Sequence, residues 1–150
     1  MIRSNVVVEE GVELPDDLDT GYNVVFRRGC QIGRGVKIWS NTVIDAGATI
    51  GDSVRIHCNC YIAQNTVIEY GVFIGPGTQI LNDKYPPRFD PSAWEPVVVG
   101  RGAVIGGGVT VLPGVKIGPG ALIGAGSVVT HSVPGGEVWA GNPARRLGRR

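Results

Sequence analysis

Isoleucine recurs every six residues through the middle of the chain, and this repeat limits the fold more than any other feature. A second series with the same step follows after one interruption. The fifteen positions are Ile32, Ile38, Ile44, Ile50, Ile56, Ile62, Ile68, Ile74, Ile80, Val99, Ile105, Val111, Ile117, Ile123 and Val129. A period of six does not match the 3.6-residue turn of an α-helix, and repeats of fixed length are typical of stacked, solenoid-like chains.

Two further positions of the repeat are restricted. The residue two before each repeated aliphatic is small or β-branched, as at Val36, and the alternation of a strand points it to the same side. The residue three after it is Gly, Asn, Ser or Asp, as at Gly35 and Asn41, and these residues are favoured at sharp corners. The sequence therefore predicts short strands joined by corners around an aliphatic interior, with a ragged first coil near Val8 and Leu14.

The composition limits the possible partners and location. The net charge of +1 gives no global field for nucleic acid or a membrane surface, and the only basic run is at residues 145–150. No stretch reaches the roughly 18 apolar residues that span a bilayer. The first ten residues contain acids where a signal peptide would be basic and then apolar. We therefore expect a cytoplasmic protein that binds neither nucleic acid nor a membrane.

An insertion of thirteen residues interrupts the rhythm between Ile80 and Val99. The segment 81–98 reads LNDKYPPRFDPSAWEPVV and contains four prolines, which cannot donate to a sheet ladder. We therefore expect a loop that protrudes from one corner, and its three aromatic residues favour an ordered one. Long loops on a regular scaffold are often functional, so this loop either binds a ligand or clasps a neighbouring subunit.

Several stretches resemble the hexapeptide-repeat acyltransferases. They are IWSN (38–41), IHCNCYIAQNTVIEYGVFIGPGTQILNDKYPPR (56–88), the second repeat block (97–134) and WAGNPARRL (139–147). The resemblance implies an all-β fold, a left-handed parallel β-helix shaped as a triangular prism with eighteen residues per coil. It also implies a single domain over 1–150, with a protruding loop at about 81–98 and a short C-terminal extension at about 134–150. The implied assembly is a homotrimer.

Within this family the chain is most similar to N-acetyltransferases of nucleotide-linked amino sugars destined for surface polysaccharide. The resemblance implies acetyl-CoA as co-substrate and no metal. O-acetylation of a sugar or of serine is the nearest alternative, and a non-catalytic structural β-helix is another. A zinc carbonic anhydrase with this fold needs three histidines for its metal, whereas the chain contains only two, His57 and His131.

Coils of eighteen residues would stack five corner residues into one column. These are Trp39, His57, Gly75, Gly106 and Gly124, once the inserted residues are discounted. The glycines would leave bare backbone beside His57 that suits the thin pantetheine arm of CoA, although glycine is also common at this repeat position. His57 is the candidate catalytic residue, either as general base or by positioning the substrate. We expect His131 to lie on the surface.

The resemblance assigns the remaining candidate residues. Acceptor contacts are expected from Asn59, Asn82 and Asp83, and we add Lys84 and Tyr85 from the same loop. For the donor we expect CoA along Gly75, Gly106, Gly107 and Gly124, with its phosphates near Arg145 and Arg146. A solvated basic tail is the alternative for the two arginines. In the column Asn23, Asn41, Asn59 and Gly77, the side-chain amides of Asn23 and Asn41 would form a ladder, whereas the turn at Asn59 should face the loop. Asn65 would lie beneath Asp83.

Overall fold

Three parallel sheets made of very short strands form the three sides of a prism in the computed structural model, which describes all 150 residues. Sheet A contains β1 (Val7–Val8), β3 (Val25–Phe26), β6 (Val43–Ile44), β9 (Tyr61–Ile62), β12 (Gln79–Ile80), β15 (Thr110–Val111) and β18 (Val128–Val129). Sheet B contains β2 (Asp19–Thr20), β5 (Lys37–Ile38), β8 (Arg55–Ile56), β11 (Phe73–Ile74), β14 (Val104–Ile105), β17 (Leu122–Ile123), β19 (Glu137–Gly141) and β20 (Ala144–Arg149). Sheet C contains β4 (Gln31–Ile32), β7 (Thr49–Ile50), β10 (Val67–Ile68), β13 (Val98–Val99) and β16 (Lys116–Ile117).

The register confirms eighteen residues per coil. Ile68 pairs with Ile50 on one side and with Val99 on the other, so the repeated aliphatics are vertical neighbours. The pairing of Val67 with Val98 skips thirteen residues beyond the regular spacing, as the sequence predicts. All fifteen repeated aliphatics close a two-residue strand, and all but Ile32 are buried. The interior is therefore a continuous stack of aliphatic side chains without space for a ligand.

The corners explain the turn formers in the sequence. All the predicted corner residues from Gly35 to Gly126 have positive φ, with the exception of Asp83. Ser132, at the last corner, does not have positive φ either. At Asn41, for example, φ is 61°, a region that asparagine tolerates better than most residues. Asp83 and Ser132 differ because the chain leaves the repeat there, into the insertion and towards the C-terminal strands.

The first coil is incomplete, because Leu14 lies outside any strand and sheet C begins only at β4. In regular coils the residue after the repeated aliphatic donates its amide to the next coil, as Gly33 does to the carbonyl of Ile50. Pro15 occupies that position after Leu14 and has no amide hydrogen to donate. The expected ragged start is therefore confirmed, and Pro15 accounts for it.

Helical structure is confined to one turn of 3₁₀ helix in the insertion, Pro91–Ala93. The structure contains no helix that is long and apolar enough to cross a membrane. The C-terminal extension is a β-hairpin: β19 adds to sheet B in parallel and β20 pairs antiparallel with β19.

Candidate active site

The predicted column of corner residues is present between sheets B and A. The amides of Trp39, His57, Gly75 and Gly106 donate in turn to Ile56, Ile74, Ile105 and Ile123 of the next coil, at 2.8 or 2.9 Å. The amide of Gly124 continues the series by donating to Trp139 of the C-terminal hairpin at 2.9 Å. The column therefore runs along one edge of the prism and ends beneath the hairpin.

His57 is held between two aromatic rings. Its imidazole stacks on the indole of Trp39 with 4.3 Å between centroids and 12° between planes. On the other side the ring of Phe73 lies 5.1 Å away and is tilted by 55°. The side chain is half-buried, so its ring is oriented by packing and still reaches the surface. These contacts suit a group that must present one nitrogen in a fixed direction.

The glycines beyond His57 are required by the close approach of successive coils. A Cβ added to Gly75 would lie 2.5 Å from the amide nitrogen of Gly107, and one added to Gly106 would lie 2.6 Å from that of Ala125. Coil packing therefore accounts for these glycines and explains why glycine is common at this position of the repeat. Gly75 is buried in the protomer, whereas Gly106, Gly107 and Gly124 are half-buried, and the amides of Gly107 and Ala125 donate to no acceptor in the protomer.

The C-terminal arginines belong to a folded hairpin. Arg146 Nε lies 3.1 Å from a carboxylate oxygen of Glu137, and the Arg145 guanidinium donates to the carbonyl of Ala144 at 3.1 Å. The hydrogen bond from the Trp139 indole, followed by that from Arg146, lowers the pKa of Glu137. Both arginines are exposed at the end of the glycine edge, Arg145 without an ion pair and Arg146 paired with Glu137.

The insertion has its own network of hydrogen bonds. One carboxylate oxygen of Asp83 accepts from the amide of Tyr85 at 3.2 Å, and the other accepts from the amide of Arg88 at 2.7 Å. The Arg88 guanidinium lies 4.9 Å from the centre of the Tyr85 ring, and the Lys84 ammonium lies 5.9 Å from the same centre. The indole of Trp94 donates to the carbonyl of Arg88 at 3.0 Å. The expected ordered loop is thus present, and Asp83 shapes it.

One chain does not bring the two halves of the candidate site together. His57 and Asn59 lie at the corner between sheets B and A, whereas Asn82 and Asp83 lie at the corner between sheets A and C. One whole side of the prism separates them, on the order of 15–20 Å for six residues of extended chain. The expectation that the turn at Asn59 faces the loop is therefore wrong within a protomer.

The ladder is present as predicted, because the side-chain amide of Asn23 donates to the side-chain oxygen of Asn41 at 3.1 Å. The backbone carbonyl of Asn59 accepts instead from the side chain of Gln79. Above Asn65 the corner is irregular. The amide of Gly114 donates to the carbonyl of Glu95, at the end of the insertion, and the amide of Glu95 in turn donates to the carbonyl of Asn82. His131 is exposed, as expected, with its ring 2.9 Å from the hydroxyl of Thr130.

Sequence analysis missed a cleft of about 230 Å³ at the N-terminal end of the same edge. Its walls come from Arg3 and from two successive coils that end at Ser40. Stepping back by eighteen from Trp39 gives Gly21 and then Arg3, so the same arithmetic could have found it. Gly21, between the other two, has no side chain because a Cβ there would collide with the backbone nitrogen and the hydroxyl of Ser40.

The repeat matches the model of the bacterial transferase hexapeptide family, described as six repeats, over residues 47–82 and 96–131. The thirteen residues between these blocks belong to the insertion. A search of the curated proteins found no match.

Solved structures give closer parallels. A mutant of perosamine N-acetyltransferase from Caulobacter crescentus, in complex with CoA and GDP-perosamine, has a TM-score of 0.74 and 26% identity over 88% of this chain. A hexapeptide-repeat acetyltransferase from Vibrio cholerae, in complex with acetyl-CoA, has a TM-score of 0.68 and 29% identity over 81% of this chain and 71% of its own. A maltose O-acetyltransferase from Clostridium difficile has a TM-score of 0.57 and 25% identity over 97% of this chain and 67% of its own.

The chain spans 58% of the length of the perosamine enzyme, so the likeness concerns the β-helix and not the whole of that protein. Residues 47–82 and 96–131 are repeats of the bacterial hexapeptide transferase family, and the fold of the chain is the left-handed parallel β-helix.

Proposed function

We propose that the protein is an acetyl-CoA-dependent N-acetyltransferase that acts on the amino group of a nucleotide-linked amino sugar, for surface polysaccharide synthesis. The observation that carries this proposal is the edge on which an oriented His57 is followed by a run of glycines and by two free backbone amides. Similarity to a perosamine N-acetyltransferase in complex with CoA and GDP-perosamine supports the same reading. A cytoplasmic location would supply both substrates.

The donor lies along the glycine edge in this proposal. Its pantetheine arm runs past Gly75 and along the half-buried Gly106, Gly107 and Gly124, where the amides of Gly107 and Ala125 are free to donate. The phosphates of CoA would meet Arg145 and Arg146 through charge-assisted hydrogen bonds at the end of the edge. This arrangement points the thioester towards His57.

The chemistry then needs little from the protein. The amine attacks the thioester carbon, the tetrahedral oxyanion is stabilised by hydrogen-bond donors, and collapse releases the CoA thiolate. His57 accepts the proton that the amine loses, and that proton can pass to the departing sulfur. The packing by Trp39 and Phe73 keeps the imidazole in place throughout.

A complete site requires more than one copy of the chain. Because His57 and the loop lie at different corners, the loop of one subunit must approach the glycine edge of another, as in the homotrimer that the family resemblance implies. The exposed rings of Tyr85 and Phe89 would then contact the neighbour. Asn82, Asp83, Lys84 and Tyr85 would bind the acceptor together with Asn59 of the adjacent chain.

Binding of acetyl-CoA by calorimetry tests the donor site. We expect a dissociation constant between about 1 μM and 1 mM, the usual span for enzyme substrates. Ala125→Trp places a bulky ring on the edge and should weaken binding at least tenfold. Arg101→Trp, at the equivalent position of another corner, should not weaken it. Absence of heat and of any thermal shift with the wild-type protein would remove the donor site.

Asp83→Ala is expected to raise the acceptor KM at least fivefold and to leave acetyl-CoA binding unchanged. The carboxylate holds the loop through two backbone amides, so its loss disturbs the acceptor side alone. Asp90→Ala is the matched control, because Asp90 caps the 3₁₀ turn of the same loop. Steady-state kinetics with both substrates decide the matter, and an unchanged acceptor KM in Asp83→Ala would separate the loop from the acceptor.

O-acetylation of a sugar is the second candidate. The similarity to a maltose O-acetyltransferase favours it, as does the well-held His57, because a hydroxyl is a poorer nucleophile than an amine and depends more on a base. Mass spectrometry of a panel of amino sugars and their hydroxyl analogues, each incubated with acetyl-CoA, distinguishes the two.

A further inference from the structure

The N-terminal cleft lies directly beneath the Trp39–His57 stack. Its walls include Arg3, Asp19, Tyr22, Lys37 and Trp39. All these residues come from the N-terminal side of Trp39 or from its own coil, whereas His57 lies in the next coil and covers the opposite face of the indole. One face of Trp39 is therefore taken by His57, and the other face borders the cleft.

The height of the cleft suits a flat ring. Arg3 and Trp39 are two coils apart in the column, about 10 Å at the usual spacing between strands, and Gly21 between them has no side chain. Tyr22 adds a second exposed aromatic ring at the mouth, where its amide is fixed by a 2.9 Å hydrogen bond to the hydroxyl of Ser40. A planar group can enter above Gly21 and extend the existing stack by one ring.

The charges at the cleft favour an anion beside that ring. The side chains of Arg3 and Lys37 are exposed and form no ion pair, and Arg55 follows Lys37 in the next coil of sheet B. The only acid in the wall, Asp19, lies 3.6 Å from the amino group of Met1. Two unpaired cations and two aromatic rings thus border one small cavity.

We propose that this cleft is a nucleoside phosphate subsite, in which a nucleobase stacks on the free face of Trp39 and phosphate oxygens contact Arg3 and Lys37. Aromatic rings bind bases by stacking, and Arg and Lys bind phosphate. The carboxylate of Asp19 is available to accept from N–H groups on the edge of the base. Nothing in the repeat itself requires this combination of residues.

The nucleotide belongs to the acceptor. CoA also carries an adenine ring, but the glycine edge runs from His57 towards the C-terminal hairpin, away from the cleft. The donor and the nucleotide would therefore approach His57 from opposite ends of the same column. This assignment to the acceptor rests on the proposed function, whereas the nucleotide affinity of the cleft does not.

Calorimetric titration with GDP, UDP and dTDP tests the subsite without any turnover. We expect the wild-type protein to bind at least one of them, and Trp39→Ala to weaken that binding at least tenfold, the loss that follows from removing one stacking ring. Trp39→Phe keeps a stacking surface and should remain within threefold of wild type. Lys37→Gln should weaken binding at least threefold and reduce its salt dependence.

Tyr70→Ala is the matched control, since Tyr70 is an exposed corner aromatic with Arg101 4.9 Å from its ring but lies outside the cleft. Its nucleotide affinity should equal that of wild type, and thermal unfolding of each variant checks that the fold is retained. Unchanged nucleotide affinity in Trp39→Ala and Lys37→Gln, or no nucleotide binding by the wild type, overturns the proposal.

Parallel titrations with acetyl-CoA show whether the nucleobase that stacks on Trp39 comes from the acceptor or from CoA. Unchanged acetyl-CoA affinity in Trp39→Ala supports the acceptor, whereas a loss confined to acetyl-CoA assigns the ring to the donor and overturns the proposal. Failure of the proposed function is seen separately, as missing acetyl-CoA binding by a wild-type protein that still binds nucleotide through Trp39.

Discussion

Alanine in place of His57 is expected to lower kcat for acetylation about a hundredfold, the lower end of what a positioned general base contributes. The reason is geometric as well as chemical. Imidazole as a class titrates near neutrality, and here the ring is fixed against Trp39 with 12° between the planes. Its removal leaves the attacking amine without an acceptor for its proton and leaves one face of Trp39 uncovered.

The control for this experiment is His131→Ala. His131 is exposed at another corner of the prism and should be replaceable without loss of activity. His57→Gln adds a second comparison, because glutamine can hydrogen-bond the substrate but does not serve as a base. A large loss of kcat in both His57 variants indicates that His57 transfers a proton. A kcat near that of wild type in His57→Gln alone indicates that His57 positions the substrate.

A near-normal kcat in His57→Ala would show that the amine attacks unaided and that His57 has no catalytic part. The pH profile gives a further readout, since loss of a base removes its limb from the dependence of kcat on pH. Binding of acetyl-CoA should be unchanged in either event, because the proposed donor site lies along the glycines.

Ile68→Ala is expected to lower the free energy of unfolding by about 2–5 kcal/mol, as for other buried Ile-to-Ala changes. Ile68 is fully buried, and its vertical neighbours Ile50 and Val99 have little freedom to collapse into the space. The cost has two parts, the lost burial of the side chain and the cavity between adjacent coils.

Val67→Ala is the matched control in the same strand. Its side chain points outward and is half-buried, so its truncation should cost less than about 1 kcal/mol. Urea unfolding followed by circular dichroism measures both variants. Since stacked repeats need not unfold in one step, coincidence of two probes should be checked first. Equal losses in the two variants would contradict the inward and outward assignment.

Much of the fold follows from the sequence because the interior imposes a strict rule. Each coil must supply an aliphatic side chain at the same height, so the step from Ile50 to Ile68 already fixes which strands are neighbours. The length of the insertion, thirteen residues, follows from the sequence for the same reason, because the repeat begins again at Val98, which pairs with Val67. The stack of His57 on Trp39 follows from the same arithmetic and was predicted as a shared column.

The site is less predictable because it lies where the rule does not apply. Corner side chains are free to differ, and the insertion takes its shape from contacts such as those of Asp83 with the amides of Tyr85 and Arg88, which no period encodes. Counting by eighteen does assign Leu81 to the column of Ala63 rather than to that of His57. The separation of loop and histidine was therefore available from the sequence, whereas the folding of residues 145–150 into a hairpin was not.

The hairpin at the C-terminus has a consequence for how molecules meet end to end. A parallel coil that simply stopped would leave its last strand as a template on which another chain could add, the common route to fibres. Here β20 runs against the direction of the coils, and the pairing with β19 is irregular between Val138 and Trp139. A further coil would therefore meet, on sheet B, a strand of opposite polarity and irregular register, which disfavours continuation of that sheet in parallel.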